Sequence, residues 1–198
     1  MTTTKKLIIA VVALSLALVG VVGGTLAWLS ATSNTVTNTF TYGTIKIELK
    51  ETNGDKQTDG SILFPRVLPG AQVAKDPTVT VVKGSEKCYV YVLIDNQLGD
   101  KATYDIDTTK WARIDEKTGT QALYRYLIGS DNIVDAFSAD VEIPVFAHLT
   151  FAGSLDKKTI EDEEFANQNV IITAYAHQAD NTTQTVADDA AKAWATTP

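Results

Sequence analysis

Cys88-Tyr89-Val90-Tyr91-Val92-Leu93-Ile94 is the stretch that decides the fold. Every position is apolar or aromatic, and the β-branched and aromatic types that suit a pleated surface dominate. A strand with one wet face carries polar residues at alternate positions. A run without any reads as a central strand covered on both faces. The single cysteine of the chain lies in this run. One cysteine excludes an intramolecular disulfide and a thiolate metal cluster. Inside such a strand its thiol reads as a small buried hydrophobe rather than a catalytic group.

Working outward, Lys83-Gly84-Ser85-Glu86 turns this strand back onto another at 78–82, which Lys75-Asp76-Pro77 introduces. Leu68-Pro69-Gly70 favours a tight turn, because Pro fixes φ and Gly allows positive φ. Ile45, Ile47 and Leu49 alternate with Lys46, Glu48 and Lys50, the period of a strand with one buried face. Residues 51–60 form a polar loop or hairpin. Downstream, 95–107 reads as an acidic surface loop with a strand tendency near Tyr104 and Ile106. Short strands follow at 111–114, 122–128 and 141–145, with turns at Lys117-Thr118-Gly119 and Gly129-Ser130-Asp131-Asn132. Pro144 marks an edge or a strand end, since it cannot donate to a ladder. Residues 146–151 extend that strand or pair beside it. The charged stretch 156–167, densest at Glu161-Asp162-Glu163-Glu164, is a short helix or a solvated loop.

Near the C-terminus, 170–178 alternates cleanly, with Val170, Ile172, Ala174 and Ala176 on one face and Ile171, Thr173, Tyr175 and His177 on the other. Thr185-Val186-Ala187-Asp188 has the signature of a helix start. Val186, Ala190 and Trp194 then share one face, predicting that Trp194 docks a short helix. The expected fold is mainly β: a jelly-roll-like antiparallel β-sandwich over residues 40–198 with short helices, one near the C-terminus.

The first 27 residues read as an export signal and its N-terminal helix. Lys5 and Lys6 supply positive charge, an uncharged run from Leu7 to Leu29 follows, and Gly23-Gly24 breaks the helix. Thr25 and Ala27 are small enough for a peptidase cutting between Ala27 and Trp28. The rival reading is a permanent anchor, because a hydrocarbon core takes about 20 residues. The glycine-rich end and the absence of a following basic cluster favour cleavage, so membrane contact is expected only through the uncleaved signal. Residues 28–39 then become a free, threonine-rich arm.

Gly23-Gly24-Thr25-Leu26-Ala27-Trp28-Leu29-Ser30, followed by Thr39-Phe40-Thr41-Tyr42-Gly43-Thr44-Ile45-Lys46-Ile47, resembles the start of the TasA/camelysin (CalY) family. The middle, with Leu68-Pro69-Gly70, Lys75-Asp76-Pro77-Thr78-Val79-Thr80 and Tyr89-Val90-Tyr91-Val92, is similar to it too, although Val82-Lys83 stands where the family commonly has Asn before the Gly-Ser turn. So is the C-terminal end, Ala174-Tyr175-Ala176 through Asp180 and Ala191 to Trp194. The resemblance implies a secreted subunit of bacterial biofilm fibres, released by a dedicated signal peptidase and located in the extracellular matrix or at the cell surface. It implies that copies of the chain join head to tail.

The residues themselves point the same way. A formal charge of −7 argues against nucleic acid, whose phosphates repel an acidic surface. Members of the family have been classed as metallopeptidases, but zinc peptidases commonly carry His-Glu-x-x-His. Neither His148 nor His177 is followed by Glu. No Gly-x-Ser-x-Gly elbow appears. No enzyme activity and no cofactor are expected. Calcium would suit the oxygen-rich group Asp95, Asn96, Asp100, Asp105 and Asp107, for which a solvated loop is the default. What remains is self-association. An extended arm can complete the open sheet edge of a neighbour, and a head-to-tail contact that does not close propagates into a filament. Trp28, Leu29, Val36 and Phe40 are its apolar anchors, with Val36 and Phe40 on one face. A secreted metallopeptidase or a monomeric surface binding module are the alternatives.

Overall fold

Burial along Cys88–Asn96 (β6) sets the layering. A computed structural model describes residues 43–53, 55, 56, 62, 63, 68–115, 119–160, 165 and 168–196. Within β6, Cys88, Val90, Val92 and Ile94 lie in one hydrophobic core, while Tyr89, Tyr91 and Leu93 belong to a second on the opposite face. Strand alternation forces this division. Val90, Val92 and Ile94 are each fully buried, and each contributes about 1.5–3 kcal/mol relative to exposure. The expected central strand is thus present, and it runs on through Asp95 and Asn96.

Before β6 come Ile47–Lys50 (β1), Asp55–Lys56 (β2), Ile62–Leu63 (β3), Gln72–Ala74 (β4) and Thr78–Val81 (β5). After it come Ala102–Tyr104 (β7), Trp111–Arg113 (β8), Gln121–Tyr126 (β9), Val141–Pro144 (β10), His148–Phe151 (β11) and Val170–Gln178 (β12). Helices occupy Lys157–Ile160 (α1) and Gln184–Ala195 (α2), and a short 3-10 turn spans Gly99–Lys101. All pairings among the described strands are antiparallel: β1-β5-β10, β4-β11-β7, β12-β6-β9-β8 and the small hairpin β2-β3. The architecture is mainly β and sandwich-like.

The first core fills the space between two sheets. Val79, Val81, Ile143 and Val145 from the β5–β10 side meet Val90, Val92, Ile94, Ala122, Tyr124 and Trp111 from the β6–β9–β8 side. Trp111 is 1% exposed, and its indole N–H donates to the carbonyl of Pro144 at 3.0 Å, tying β8 to β10. Two turns position the strands. The Ala71 N–H donates to Leu68 O at 3.0 Å across Gly70 (φ 69°), and the Ser85 N–H donates to Val82 O at 3.1 Å across Gly84 (φ 82°). Both glycines occupy a left-handed conformation that a side chain disfavours.

Residues 146–151 do not extend β10. They break at Ala147 and form β11, which pairs with β4 and β7 instead. The Lys75 N–H to Ala147 O bond (2.9 Å) and the Val145 N–H to Pro77 O bond (2.9 Å) carry the ladder around that bend. At the same corner Lys75 is buried and pairs with Glu51 at 2.6 Å. Asp76 accepts from the backbone N–H groups of Thr52 and Asn53 at 3.0 and 2.9 Å, which fixes the end of β1 against the start of β5.

The second core lies between the outer face of β6–β9–β12 and α2. The helix cap falls two residues before the expected Thr185, at Thr183, whose side chain accepts the Val186 N–H. The expected face is also corrected. Ala187, Ala191 and Ala195 are the buried positions, and Val186 is 55% exposed. Alanines prevail because the sheet presents Tyr89 and Tyr91 there, and only a small side chain lets the helix backbone come close to aromatic rings. Trp194 does dock, stacking on Tyr175 with ring centroids 5.0 Å apart and planes at 16°. A polar clamp completes the layer: Arg125 pairs with Asp188, and the Tyr91 hydroxyl donates to Asp188 at 2.9 Å. Burial, with the neighbouring Asp188 carboxylate, pushes the Tyr91 phenol upward.

Arg125 and Asp188 side chains are only 12% and 15% exposed. Asp188→Ala strands a buried guanidinium and is expected to destabilise the domain by about 3 kcal/mol. Urea unfolding followed by tryptophan fluorescence measures it. An unchanged midpoint would show that α2 is held by packing alone.

Candidate functional site

Each sheet edge exposes a row of unpaired backbone groups unless something blocks it. In an antiparallel pair, hydrogen-bonded and non-bonded residue pairs alternate, so every second residue of an edge strand turns its N–H and C=O outward. On β10 those residues are Glu142 and Pro144, since the Val145 N–H bonds to Pro77 O. Glu142 carries charge, Pro144 has no N–H, and the Pro144 carbonyl is taken by Trp111. The sequence expectation of an edge at Pro144 holds. On β8, the outward N–H of Trp111 bonds to Asp107 O at 2.9 Å. On β1, four residues long, Ile47 and Leu49 face outward between Lys46, Glu48 and Lys50. β4 and β7 have three residues each.

β12 differs. It is nine residues long, pairs only with β6 among the described strands, and contains no Asp, Glu, Lys or Arg. β1 of the facing sheet comes near β12 without pairing with it. The bonds Gln97 N–H to Asn169 O (3.0 Å) and Ala179 N–H to Lys87 O (2.8 Å) fix the phase of the ladder. Odd-numbered residues of β12 bond to β6, and the even-numbered Val170, Ile172, Ala174 and Ala176 turn their backbone groups to the free edge. The side chains of these four pack, half-buried, against the first core. On the other face Ile171 is 46% exposed. Among the described residues this is the one long edge without charge, proline or a covering bond. Sequence reading found the strand but not its edge. The absence of charge from 170–178 was the available signal.

Ala27, Trp28, Leu29, Val36 and Phe40 lie outside the described residues, as does the acidic run 161–164. Among the described residues no helix is long and apolar enough to cross a membrane. The chain is first described at Gly43. The Glu86 N–H donates to Thr44 O at 3.1 Å, and the carbonyl of the next residue, Lys87, accepts from Ala179 just beyond β12.

The oxygen-rich group is not one loop. Asp95 and Asn96 are consecutive residues of β6 and project to opposite faces. The Asn96 amide donates to Gly99 O and Ala102 O at 3.0 and 2.8 Å. Asp107 accepts from the Thr109 N–H and hydroxyl. Asp105 accepts from the Ala147 and His148 N–H groups at 3.0 and 2.6 Å and pairs with the His148 ring at 2.8 Å. His177 Nδ1 lies 2.9 Å from Gln178 O. The described residues hold no group of three or more His, Cys, Asp or Glu that could hold a metal ion.

Cys88 is fully buried, and burial pushes its thiol up to about 11. Native protein should therefore resist iodoacetamide at neutral pH, with alkylation appearing only on unfolding. Rapid labelling of the folded chain, read by mass spectrometry, would contradict this. Partial burial raises the Asp105 carboxyl, but hydrogen bonds from the His148 ring and from the His148 and Ala147 N–H groups outweigh it and hold it below its ordinary value. Its stabilisation is thus complete above the unfolded Asp value of about 4 and is lost as pH falls through the lower folded value. Asp105→Asn should lower stability at neutral pH and flatten the acid limb of the stability curve. Parallel acid limbs for the two proteins would refute the assignment. No family model, curated protein or solved structure matches this chain.

Proposed function

We propose that this chain is a secreted structural subunit that self-assembles into extracellular, biofilm-matrix fibres. Cleavage between Ala27 and Trp28 frees the arm 28–39, and the arm of one copy adds as a strand to the sheet of the next. The observation that carries this reading is the edge of β12, nine residues long without Asp, Glu, Lys or Arg and unpaired among the described residues, whose other edges are short, charged or blocked. An edge of that kind is a hazard in a monomer, and natural β proteins guard against it. Its persistence fits a protein that uses it.

Two further points support the reading. Arm and edge belong to the same chain, so a contact between the arm of one copy and the edge of the next would propagate rather than close. Consecutive strands such as β5 and β6 sit in different sheets, in keeping with a jelly-roll-like route. The resemblance of the Gly23–Ser30 junction and of the central and C-terminal blocks to TasA/camelysin proteins agrees with secretion to the matrix or cell surface.

Purified mature protein beginning at Trp28 is expected to form filaments visible by negative-stain electron microscopy. Deletion of 28–39 should leave a folded monomer that forms none. The proposal fails if the full-length mature chain stays monomeric under all assembly conditions, or if the deletion leaves filaments unchanged.

A further inference from the structure

We infer that the polar hollow at the end of the first core, where β6, β7, β8 and β9 meet, binds one neutral sugar ring. The inference is independent of the fibre reading above.

Strand alternation builds the hollow. The even residues of β6 face the first core, and at the end of the strand this face changes from Val90, Val92 and Ile94 to Asn96. Arg113 of β8 stands opposite Tyr124 of β9, which belongs to the same core, so both share that face. Asn96, Gly99, Tyr104, Arg113, Thr120 and Ala122 line a hollow of about 140 Å³. Sites for drug-sized ligands run from about 300 to 1,000 Å³, so this one is on the scale of a single small ring. Thr120 is exposed at its rim, and a Cβ added at Gly99 or Gly119 would meet nothing. The hollow therefore opens to solvent on that side.

Its chemistry calls for donors. Asn96 is 9% exposed, and its amide nitrogen is spent on Gly99 O and Ala102 O. Its Oδ1 is buried without a partner among the described residues. Asp115 accepts the Arg113 Nε–H at 3.0 Å through Oδ1, and its Oδ2 is likewise buried without a partner. Native proteins leave few buried acceptors unpaired, because each forfeits its hydration. The Tyr104 and Tyr124 hydroxyls lie 3.1 Å apart, and whichever accepts keeps its own proton to donate.

Charge selects the class of ligand. Arg113 and Asp115 cancel each other, so an entering ion would bring a charge that nothing there compensates. A neutral molecule with several hydroxyls on a compact frame meets the requirement. Its hydroxyls donate to the unpaired oxygens and accept from tyrosine, while Ala122 and the Tyr104 ring offer apolar surface to its C–H groups.

Saturation-transfer NMR, observed on the ligand, tests this with the mature chain, as monomer or as filament. The probes are methyl α-glucoside, methyl β-galactoside and N-acetylglucosamine. At least one should take up saturation, with a dissociation constant on the order of millimolar. Thr120→Tyr fills the rim from an exposed position and should abolish the transfer while circular dichroism stays unchanged. Tyr104→Phe removes one hydroxyl and should weaken binding on the order of tenfold. A trisaccharide ending in the preferred sugar should bind as well as the sugar alone where a glycan is the source, and not at all where only free sugar fits. Both results uphold the sugar assignment. No transfer to any of the three probes, or transfer that Thr120→Tyr leaves intact, overturns the inference. Displacement of the sugars by N-methylacetamide at equal concentration assigns the hollow to amides and overturns it as well.

Discussion

The burial of β6 on both faces is the constraint to which the other elements answer. An apolar strand nine residues long needs two covers, and the molecule supplies them differently. A second sheet closes over the valine side, and a helix closes over the tyrosine side. The choice follows from side-chain size. Valines and Ile94 interdigitate with β-branched residues of β5 and with Ile143 of β10, as facing sheets do. Tyr89 and Tyr91 are longer and carry hydroxyls, so they suit a layer that offers alanines for close approach and a carboxylate, Asp188, for the Tyr91 hydroxyl.

Much of this is legible in the sequence where the pattern is one-dimensional. Unbroken apolarity identifies β6, strict alternation identifies β12, and Pro144 identifies an edge. What escapes is decided by partners distant in the chain. Asp95 and Asn96 look like loop residues, yet Asn96 continues the strand because its amide satisfies two carbonyls of the following turn. The helix face is misread because hydrophobicity favours Val186, whereas the packed surface favours Ala187, Ala191 and Ala195. Thr185-Val186-Ala187-Asp188 carries the sequence signature of a cap, yet the helix starts at Thr183.

The candidate site is less legible for a related reason. It consists of backbone groups, and the residues of 170–178 do not by themselves show which of them will face outward. That knowledge needs the register of β12 against β6 and the phase given by the bonds at Asn169 and Ala179. Once the phase is known, uncharged composition becomes informative. The same nine residues in the middle of a sheet would be unremarked.

The pairing of β6 with β12 also imposes an order on folding. Cys88 meets Gln178 and Asn96 meets Val170, so the first of the two strands leaves the ribosome long before its partner. Until residues 170–195 follow, β6 has neither its neighbour on that side nor the helix that shields Tyr89 and Tyr91. Contacts so far apart in sequence are slow to form, and an apolar strand waiting for them is prone to stick to other chains. Residues 170–195 thus act as a late-arriving shield over β6.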